Sequence, residues 1–571
     1  MEKRWVEKTN RSTSAIKHLA EALGVTERLA SLLINRGITT FEEAKTFFRP
    51  SLDMLHDPFL MADMDVAIQR IEKALKNKEH IMVYGDYDVD GTTAVSLVYS
   101  FFSQFTDKID YYIPDRYTEG YGVSRQGMDY AIEHGMTLII CLDCGIKANE
   151  QITYAKEHNV DFIVCDHHLP GEALPPAVAI LDPKRAECTY PYDELSGCGI
   201  GFKLVQAYAK RNDIAFEDLH QYLDLTAISI AADIVPLTGE NRVLAFFGLV
   251  EINARPRLGI KALLELAKAK NKLTLDNLVF IIGPRINAAG RIKTGMNAVS
   301  LLISADASKA KETSALIDQH NLERREWDKN ITAEALQMIT ESEQLQQQKS
   351  TVLFHPDWHK GVIGIVASRL IENYYRPTIV LTSSNGVAAG SARSVVGYSV
   401  YEAIDACSDL LIQFGGHKYA AGLTIKRDNI EAFQKKFEEV VSSTIDKELL
   451  IPTVNIDTTI HFSDITDKFY RVLKQFAPFG PLNMTPIFQT NGVLDTGYSK
   501  TVGADRTHLK LCVFEPEDME RSFSAIGFGL GDKLDLVQSG EPFDICYTLE
   551  ENEWNGHVTL QLVIKEIRAH Q

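Results

Sequence analysis

The sequence predicts an α/β protein with a doubly wound, parallel-sheet domain, a smaller α/β domain joined to it by a long helix, and a carboxyl-terminal all-β barrel or sandwich. The main observation is a series of short apolar runs between residues 56 and 306, among them HIMVYG, IDYYIP, TLIICLD, DFIVCD and AVAILD. Each run is too short for a helix and apolar throughout, which is typical of strands buried on both faces of a parallel sheet. The amphipathic stretches between the runs supply the crossover helices.

The segments on either side of this sheet are predicted from their own patterns. Residues 1–55 show apolar residues at helical spacing and are expected to form a helical lead-in. Residues 307–348 carry apolar groups among many charges, without proline or glycine, which predicts the long connecting helix. Residues 349–447 return to short apolar runs. Residues 450–571 alternate apolar and polar residues, with a hairpin expected at Asn555–Gly556.

The composition is that of a soluble globular protein with roughly three or four domains. Of the 571 residues, 45% are hydrophobic and 24% are charged, and no stretch approaches the ~18 consecutive apolar residues of a membrane span. The amino terminus, MEKRWVEKTNR, lacks the apolar core of a signal peptide. We therefore expect a cytoplasmic protein that makes no contact with a membrane.

The eight cysteines are too few for a disulfide framework at this length, so we expect free thiols. Cys141 and Cys144 form a C-x-x-C, a spacing that also occurs in redox pairs and zinc sites. Because no second C-x-x-C exists and the pair brackets Asp143, we interpret both thiols as small apolar filler.

The net charge of −18 and the pI near 5.4 argue against a uniformly basic nucleic-acid-binding surface. Part of this acidity belongs to a carboxylate cluster that bound metal would neutralise, and charge can be segregated by face. Residues 450–571 alone carry 10 Lys plus Arg against 17 Asp plus Glu. Any DNA-binding surface in that segment is therefore expected to be a local basic face.

The first motif with chemical potential is VYGDYDVDGTTA, which places Asp86, Asp88 and Asp90 between a buried strand and a helix that begins near Gly91. In extended backbone, alternate residues share a face, so the carboxylates are expected to converge. Carboxylates that close repel one another unless a cation lies among them. A calcium loop of the EF-hand type is disfavoured, because its twelfth-position glutamate and entering helix are absent.

Further candidate ligands follow later strands of the same predicted sheet. Asp143 follows IICL, the triplet Asp166-His167-His168 follows FIVC, and Asp233 lies in the apolar segment ISIAADIVPL. Functional residues of parallel sheets gather at the carboxyl ends of the strands. Carboxylates with one or two imidazoles suit Mn²⁺ or Mg²⁺, and two such ions ~4 Å apart serve phosphoester hydrolysis.

In this order, GDYDVDG, CLDCG, the Asp166-His167-His168 triplet and AADIVPL resemble motifs one to four of the DHH phosphoesterase superfamily. DYDVDGTTA and GPRINAAGR are most similar to the bacterial RecJ exonucleases, and GSARS and FGGHKYAAG resemble the associated DHHA1 domain. The resemblance covers most of the chain. It implies a DHH domain at 56–306, a DHHA1 domain at 349–447 and an OB-fold at 450–571.

The resemblance also implies a role for each polar residue of the cluster. The implied ligands of two divalent ions are Asp86, Asp88, Asp90, Asp143, His167 and Asp233. Asp143 would bridge the ions; Asp90, His167 and Asp233 would bind one of them and Asp88 the other. His168 would lie against the scissile phosphate and, with Asp143 and Asp166, make up the catalytic group. Many relatives carry a histidine where this chain has Tyr84, which leaves the place of Asp86 open.

Basic and small residues further along the chain are expected to bind the substrate. Arginine forks match phosphate oxygens, with an ion pair between domains as the alternative role, and glycines expose backbone N–H groups to anions. The resemblance implies that these residues hold the 5′-terminal phosphate and the neighbouring nucleotides. The expected substrate-binding residues are Arg285, Asn287, Arg291, Ser391, Arg393, Gly415, Gly416 and His417.

The sequence thus predicts a metal-dependent phosphoesterase acting on single-stranded DNA. The resemblance implies a 5′→3′ exonuclease that releases 5′ mononucleotides in recombination and repair, beside a single-strand binding protein and a RecQ-type helicase. Two alternatives stay open. One is a phosphodiesterase of short oligoribonucleotides or cyclic dinucleotides, as among other DHH-DHHA1 proteins. The other is a nucleic-acid-binding scaffold whose catalytic site has decayed.

Overall fold

The structure, a computed structural model, describes residues 3–8, 12–269, 272–292, 294–384, 386–554 and 556–570. The chain divides into two compact units. The parallel-sheet unit consists of Pro50–Asn330 and Pro478–Asn483, and the composite unit consists of Met1–Arg49, Ile331–Ala477 and Met484–Gln571. Each sheet belongs to a single unit, whereas the residues of one long helix, Ala307–Thr340, are divided between the two.

The amino-terminal segment belongs to the composite unit and contains a strand that the sequence did not predict. Its elements are β1 (Arg4–Glu7), α1 (Thr13–Leu23), α2 (Glu27–Ile34) and α3 (Phe41–Phe48). Strand β1 pairs in parallel with Thr453–Ile456, more than 440 residues later. A four-residue strand stabilised by so distant a partner leaves no periodic pattern in its own sequence.

The parallel-sheet unit begins with alternating helices and strands, as predicted. These are α4 (Met64–Asn77), β2 (Ile81–Gly85), α5 (Val89–Phe102), β3 (Ile109–Tyr112), α6 (Arg125–Glu133), β4 (Leu138–Leu142), α7 (Asn149–Glu157), β5 (Asp161–Cys165) and β6 (Ala179–Leu181). The five strands lie in the order β3-β2-β4-β5-β6, and every pairing is parallel. All five apolar runs form strands of this sheet, so the predicted fold class is confirmed for this unit.

Helices complete the parallel-sheet unit after β6. They are α8 (Gly197–Arg211), α9 (Leu223–Asp233), α10 (Gly239–Ala254), α11 (Leu258–Leu266), α12 (Leu275–Asn277), α13 (Gly283–Ile292) and α14 (Met296–Leu302), with a π-helical turn at Leu278–Ile282. Helices α5, α8 and α9 pack against one another and are buried over most of their length. Three elements that reach the same edge of the sheet are thereby held rigidly.

The predicted connecting helix is present as α15 (Ala307–Thr340), and a short α16 (Glu343–Gln347) follows it. The next elements are β7 (Thr351–His355), α17 (Ile363–Asn373), β8 (Thr378–Ser384), β9 (Val387–Arg393), α18 (Val400–Asp405), β10 (Leu411–His417), β11 (Ala420–Ile425) and α19 (Ile430–Thr444). The strands form a mixed sheet in the order β10-β11-β9-β8-β7, in which only β7 and β8 pair in parallel.

The carboxyl-terminal segment forms the predicted barrel. Its elements are β12 (Thr453–Ile456), β13 (Thr458–Thr459), α20 (Asp467–Lys474), β14 (Phe488–Asp495), β15 (Lys500–Val502), β16 (His508–Glu515), β17 (Asp518–Gly527), α21 (Leu534–Val537), β18 (Phe543–Trp554) and β19 (His557–Ala569). Strands β14, β18, β19, β17 and β16 pair in sequence, and β14 also pairs with β16. This closes a five-stranded barrel of the OB type.

Two further expectations concern single features of the chain. Strands β18 and β19 form a long antiparallel hairpin, and Asn555 of its predicted turn lies outside the described residues. Among the described helices, none combines the length and the apolar character needed to cross a lipid bilayer.

Candidate metal centre

The strands of the parallel sheet end in register, so the residues that follow them lie at one edge. Gly85 pairs with Leu142, Leu142 with Cys165, and Cys165 with Leu181. The next residues along the chain are Asp86, Asp143, Asp166 and Asp182, and all four are buried. A row of carboxylates at the carboxyl ends of adjacent strands is where ligands of parallel sheets bind.

The GDYDVDG segment reaches this edge in a different way from the extended backbone that the sequence suggested. Asp88 is the N-cap of α5 and accepts the Gly91 N–H at 3.0 Å, so Asp90 already lies in the first helical turn. A Cβ atom at Gly91 would lie 2.4 Å from the Asp86 carbonyl oxygen, so this sharp turn requires glycine. The helix start, rather than strand alternation, brings Asp90 back beside the strand ends.

His167 lies at the middle of the carboxylates. Its Nε2 is 3.1 Å from Asp143 Oδ1, 3.7 Å from Asp90 Oδ2 and 3.7 Å from Asp233 Oδ2. Although His167 is only 6% exposed, neither ring nitrogen has a hydrogen-bond partner among the described residues. A buried imidazole without a hydrogen-bond partner among the described residues, surrounded by carboxylate oxygens, is suited to binding a metal ion.

Two sets of side chains offer ligand atoms that all lie within 4.8 Å of one another. They are Asp90, His167 and Asp233, and Asp143, His167 and His168. The first set matches three of the ligands that the resemblance assigned to one ion. The second set includes His168, which the resemblance assigned to the phosphate rather than to the metal.

The carboxylates of the cluster strongly disfavour one another's charge. Burial and then the charges of Asp90 and Asp88 raise the pKa of Asp143 well above its usual range. Burial and then Asp88 raise the pKa of Asp86, and burial and then Asp90 raise the pKa of Asp88. Burial, followed by Asp90 and Asp88, raises the pKa of Asp233 to about 8. Bound divalent cations would reverse these shifts, so the residues present fit a site for metal.

Asp166 and His168 form a separate pair at the rim of the cluster. Asp166 Oδ1 accepts hydrogen bonds from the backbone N–H of His168 and, at 2.7 Å, from its ring Nδ1. Burial alone would raise the pKa of Asp166 and lower that of His168. The hydrogen bond and the opposite charges of the pair outweigh burial, so the pKa of Asp166 is lowered to about 2 and that of His168 is raised to about 9. Asp166 therefore holds His168 as an imidazolium facing a cluster of carboxylates.

Three groups of the site were not predicted from the sequence. The run AVAILD places the fully buried Asp182 after β6, by the same strand-end rule that identified Asp143. Burial raises the pKa of Asp182 to about 7. The hydroxyl of Tyr121 lies 3.3 Å from His168 Nε2. No pattern in the sequence around Tyr121 indicates a functional residue. Finally, Ser196 and the glycine-rich start of α8 lie behind Asp90; the signal was the clustered glycines of SGCGIG.

The residues of GPRINAAGR lie on α13 in the parallel-sheet unit. Arg285 donates from Nε to Asp318 at 2.8 Å and from Nη1 to the Ile281 carbonyl oxygen, so it makes an ion pair within this unit rather than between domains. The Arg291 carbonyl oxygen accepts a hydrogen bond from the Tyr117 hydroxyl. Asn287 lies between them on the same helix.

Helix α13 also touches the aspartate loop directly. A Cβ at Gly290 would lie 2.4 Å from the Tyr87 carbonyl oxygen. The small residues of GPRINAAGR therefore let this helix pack closely against the backbone that carries Asp86 and Asp88.

The remaining candidate substrate residues lie together in the composite unit. Ser391 and Arg393 are on β9, Gly415 to His417 are on β10, and β11 lies between these strands. Gly422 pairs with both Gly415 and Ser391, which places the two motifs on the same row of the sheet.

The amino terminus of α17 adjoins this row. A Cβ at Gly364 would lie 2.8 Å from Ser391 Oγ and 3.0 Å from an Arg393 guanidinium nitrogen. A helix amino terminus beside an arginine and a serine hydroxyl is suited to binding an anion. No role for this helix is predicted from the sequence.

Comparisons with known proteins agree with the fold and with the order of the motifs. The chain matches the DHH family, N-terminal domain, over residues 80–230, the DHHA1 domain over 347–443 and the RecJ OB domain over 456–566. It is 38% identical to the single-stranded-DNA-specific exonuclease RecJ of Bacillus subtilis, over 96% of this chain and 69% of that protein.

Two further relatives cover a larger share of their own length. The single-stranded-DNA-specific exonuclease RecJ of Escherichia coli is 32% identical, over 94% of this chain and 95% of that protein. The crystal structure of RecJ from Thermus thermophilus in complex with Mn²⁺ superposes with a TM-score of 0.85 at 26% identity, over 100% of this chain and 80% of that one. The same protein has also been crystallised with Mg²⁺. The chain therefore belongs to the RecJ family of the DHH phosphoesterases.

Proposed function

We propose that this protein is a 5′→3′ exonuclease that hydrolyses single-stranded DNA to 5′ mononucleotides and uses two Mn²⁺ or Mg²⁺ ions to do so. The observation that carries the proposal is the convergence of Asp90, Asp143 and Asp233 on the buried ring of His167, whose nitrogens have no hydrogen-bond partner among the described residues. The named relatives are single-stranded-DNA-specific exonucleases that span nearly the whole of this chain.

The geometry supports a division of the ligands between the two ions. Asp90, His167 and Asp233 are within reach of a common ion, and Asp143 is adjacent to His167 and to the charge of Asp88. Asp143 would help to hold both ions, and Asp88, with Asp86, would hold the second. The buried Oδ2 of Asp86 has no partner among the described residues, which supports that assignment.

When bound, two such ions lower the pKa of a coordinated water and neutralise charge on the phosphate. His168, held as an imidazolium by Asp166, can donate a hydrogen bond to a phosphate oxygen as negative charge develops there. The N–H that is free to do so is on Nε2, which lies 3.3 Å from the Tyr121 hydroxyl, so a phosphate oxygen would replace this contact or share the N–H with it. We assign Asp143, Asp166 and His168 as the catalytic group on this basis.

The strand would be held by two groups of residues. Arg285, Asn287 and Arg291 lie on α13, which packs against the aspartate loop, and are suited to phosphates near the metal. The row made by Ser391, Arg393 and Gly415 to His417, with the amino terminus of α17, is suited to the 5′-terminal phosphate. Recognition of a 5′-terminal phosphate would set the direction of digestion.

We assign the DHH domain to residues 56–306, the connecting helix to 307–348, the DHHA1 domain to 349–447 and the strand-binding barrel to 450–571, after the helical lead-in of 1–55. We further propose that the protein works in recombination and repair in the cytoplasm, with a single-strand binding protein and a RecQ-type helicase. Pull-down of each partner with the purified protein tests this; loss of both interactions at physiological salt would contradict it.

A digestion experiment with end-labelled strands tests the activity. A single strand labelled at either end is incubated with the protein and Mn²⁺, and the 5′ label should appear first, as a mononucleotide. Early release of the 3′ label would contradict the polarity, and faster turnover of a dinucleotide than of a long strand would favour a dinucleotide phosphodiesterase. The Asp143→Ala variant should be folded but inactive, whereas the exposed Asp107→Asn variant should digest normally.

A further inference from the structure

One carboxylate of the metal centre, Asp90, is enclosed by hydrogen-bond donors. It is 2% exposed. The backbone N–H of Gly197 donates to Oδ2 at 2.7 Å, and the N–H of Cys198 donates to Oδ1 at 2.7 Å. The hydroxyl of Ser229 donates to the same Oδ1 at 2.7 Å. Three short hydrogen bonds therefore fix the carboxylate group.

The two oxygens of Asp90 differ in whether a lone pair is left to bind a cation. Oδ1 accepts two hydrogen bonds, which occupy both of its lone pairs. Oδ2 accepts one, from Gly197, and lies 3.7 Å from Nε2 of His167. Asp90 can therefore offer a cation one oxygen, Oδ2, on the side where His167 and Asp233 lie.

Ser229 connects the elements that carry the ligands. It lies on α9 one helical turn before Asp233, and Asp90 lies on α5. The oxygen of Ser229 is 2.6 Å from Ser196 Oγ, which accepts the Gly199 N–H at the start of α8. Ser229, Ser196 and Asp90 are all buried, so water does not compete for their hydrogen bonds.

The first residue of α8, Gly197, lies close to Asp143 as well as to Asp90. A Cβ at Gly197 would lie 2.8 Å from Asp143 Oδ1 and 2.7 Å from its Cβ. The positive end of a 15-residue helix is thereby placed between Asp90 and Asp143. Its N–H groups and the Ser229 hydroxyl form one set of donors behind the metal centre.

We propose that Ser229 is a positioning residue which, with the amino terminus of α8, holds Asp90 as a one-oxygen ligand and so makes the centre prefer Mn²⁺ and Mg²⁺ over Ca²⁺. Small octahedral ions accept single carboxylate oxygens, whereas Ca²⁺ takes more ligands and often both oxygens of a carboxylate. This inference rests on the ligand assignment under the proposed function and extends it to the choice of ion.

Titration calorimetry of the full-length protein with Mn²⁺ and with Ca²⁺ tests the proposal without any nuclease assay. The Ser229→Ala variant should bind Mn²⁺ about tenfold more weakly, as is usual when a group supporting a metal ligand is lost, and Ca²⁺ less than about threefold more weakly. The matched control is Ser96→Ala, whose buried hydroxyl donates only to the Thr92 carbonyl oxygen within α5. It should leave both affinities unchanged.

A second pair of variants decides the matter if the alanine variant does not fold. Ser229→Thr keeps the hydroxyl and should keep the affinity for Mn²⁺. Valine has the shape of threonine but no hydroxyl, so Ser229→Val should bind Mn²⁺ more weakly. Equal affinity of the threonine and valine variants for Mn²⁺, or equal losses for Mn²⁺ and Ca²⁺, would overturn the proposal. If Asp143→Ala binds Mn²⁺ like the wild type, the proposed function itself fails; if only Ser229 proves indifferent, the failure is confined to this inference.

Discussion

Replacing Asp233 by asparagine is expected to stabilise the metal-free protein while weakening its response to Mn²⁺. Burial, followed by the charges of Asp90 and Asp88, raises the pKa of Asp233 to about 8. In the unfolded chain the same carboxyl has an ordinary pKa of about 3.9. An acid with the higher pKa in the folded state weakens the fold as pH rises between the two values, because the unfolded chain gains more by releasing the proton.

The size of this effect follows from the shift. About four pKa units correspond to at most about 6 kcal/mol. Since the side chain is 31% exposed and titrates together with its neighbours, we expect solvent and coupling to reduce this to about 2–3 kcal/mol. The penalty is absent below pH 4, grows through pH 6 and is complete above pH 8. Asparagine at this position avoids it, which for a unit of this size raises Tm by about 5 °C.

Differential scanning calorimetry in EDTA at pH 5.0 and 8.5 measures the effect. The Asp233→Asn variant should melt about 5 °C above the wild type at pH 8.5 and about 1–2 °C above it at pH 5.0. Addition of Mn²⁺ should raise the Tm of the wild type more than that of the variant. The exposed Asp107→Asn variant is the control for loss of one negative charge. A lower Tm than the wild type at pH 8.5, or an advantage that grows at pH 5.0, would refute the electrostatic argument.

Three other predictions concern separate parts of the molecule. Asp166→Asn should lower the pKa of His168 from about 9 towards its ordinary value, so that activity falls steeply between pH 7 and 8.5 but less at pH 6; an unchanged pH profile of kcat would contradict this. Lys203→Met breaks a fully buried ion pair with Glu240 and should cost about 3–5 kcal/mol in urea unfolding, and a loss below ~1 kcal/mol would show that the pair is not needed. Arg393→Lys should weaken binding of 5′-phosphorylated strands, measured in Ca²⁺, more than that of 5′-hydroxyl strands, and equal losses would remove the phosphate assignment.

The metal centre was largely predictable because its residues follow strands. Asp143 and the Asp166-His167-His168 triplet come directly after apolar runs, and parallel pairing brings the ends of such runs together. The same rule applies to Asp182, which follows the three-residue strand β6 but was not among the predicted site residues. Polar residues that directly follow apolar runs therefore predict most of the residues at this edge of the sheet.

The supporting residues that other elements contribute to the metal centre follow no strand-end pattern from which they could be predicted. Ser229 lies in a helix that is largely apolar, and its contact with Asp90 depends on how α9 packs on α5. Tyr121 lies in a loop, and Ser196 is defined by the helix it caps. Strand β1 depends on a partner at the far end of the chain. Tertiary packing, not local periodicity, decides all of these positions.

Strand β11 carries none of the residues assigned to the substrate, yet it sets the distance between the two groups that do. Because it is hydrogen-bonded to β9 on one side and β10 on the other, Ser391 and Gly415 are two strand spacings apart, about 10 Å. Backbone hydrogen bonds set this distance, so replacing one small side chain of β11 by another should leave it unchanged. An inserted or deleted residue would shift one motif past the other, and family members should therefore vary in the composition of this strand but not in its length.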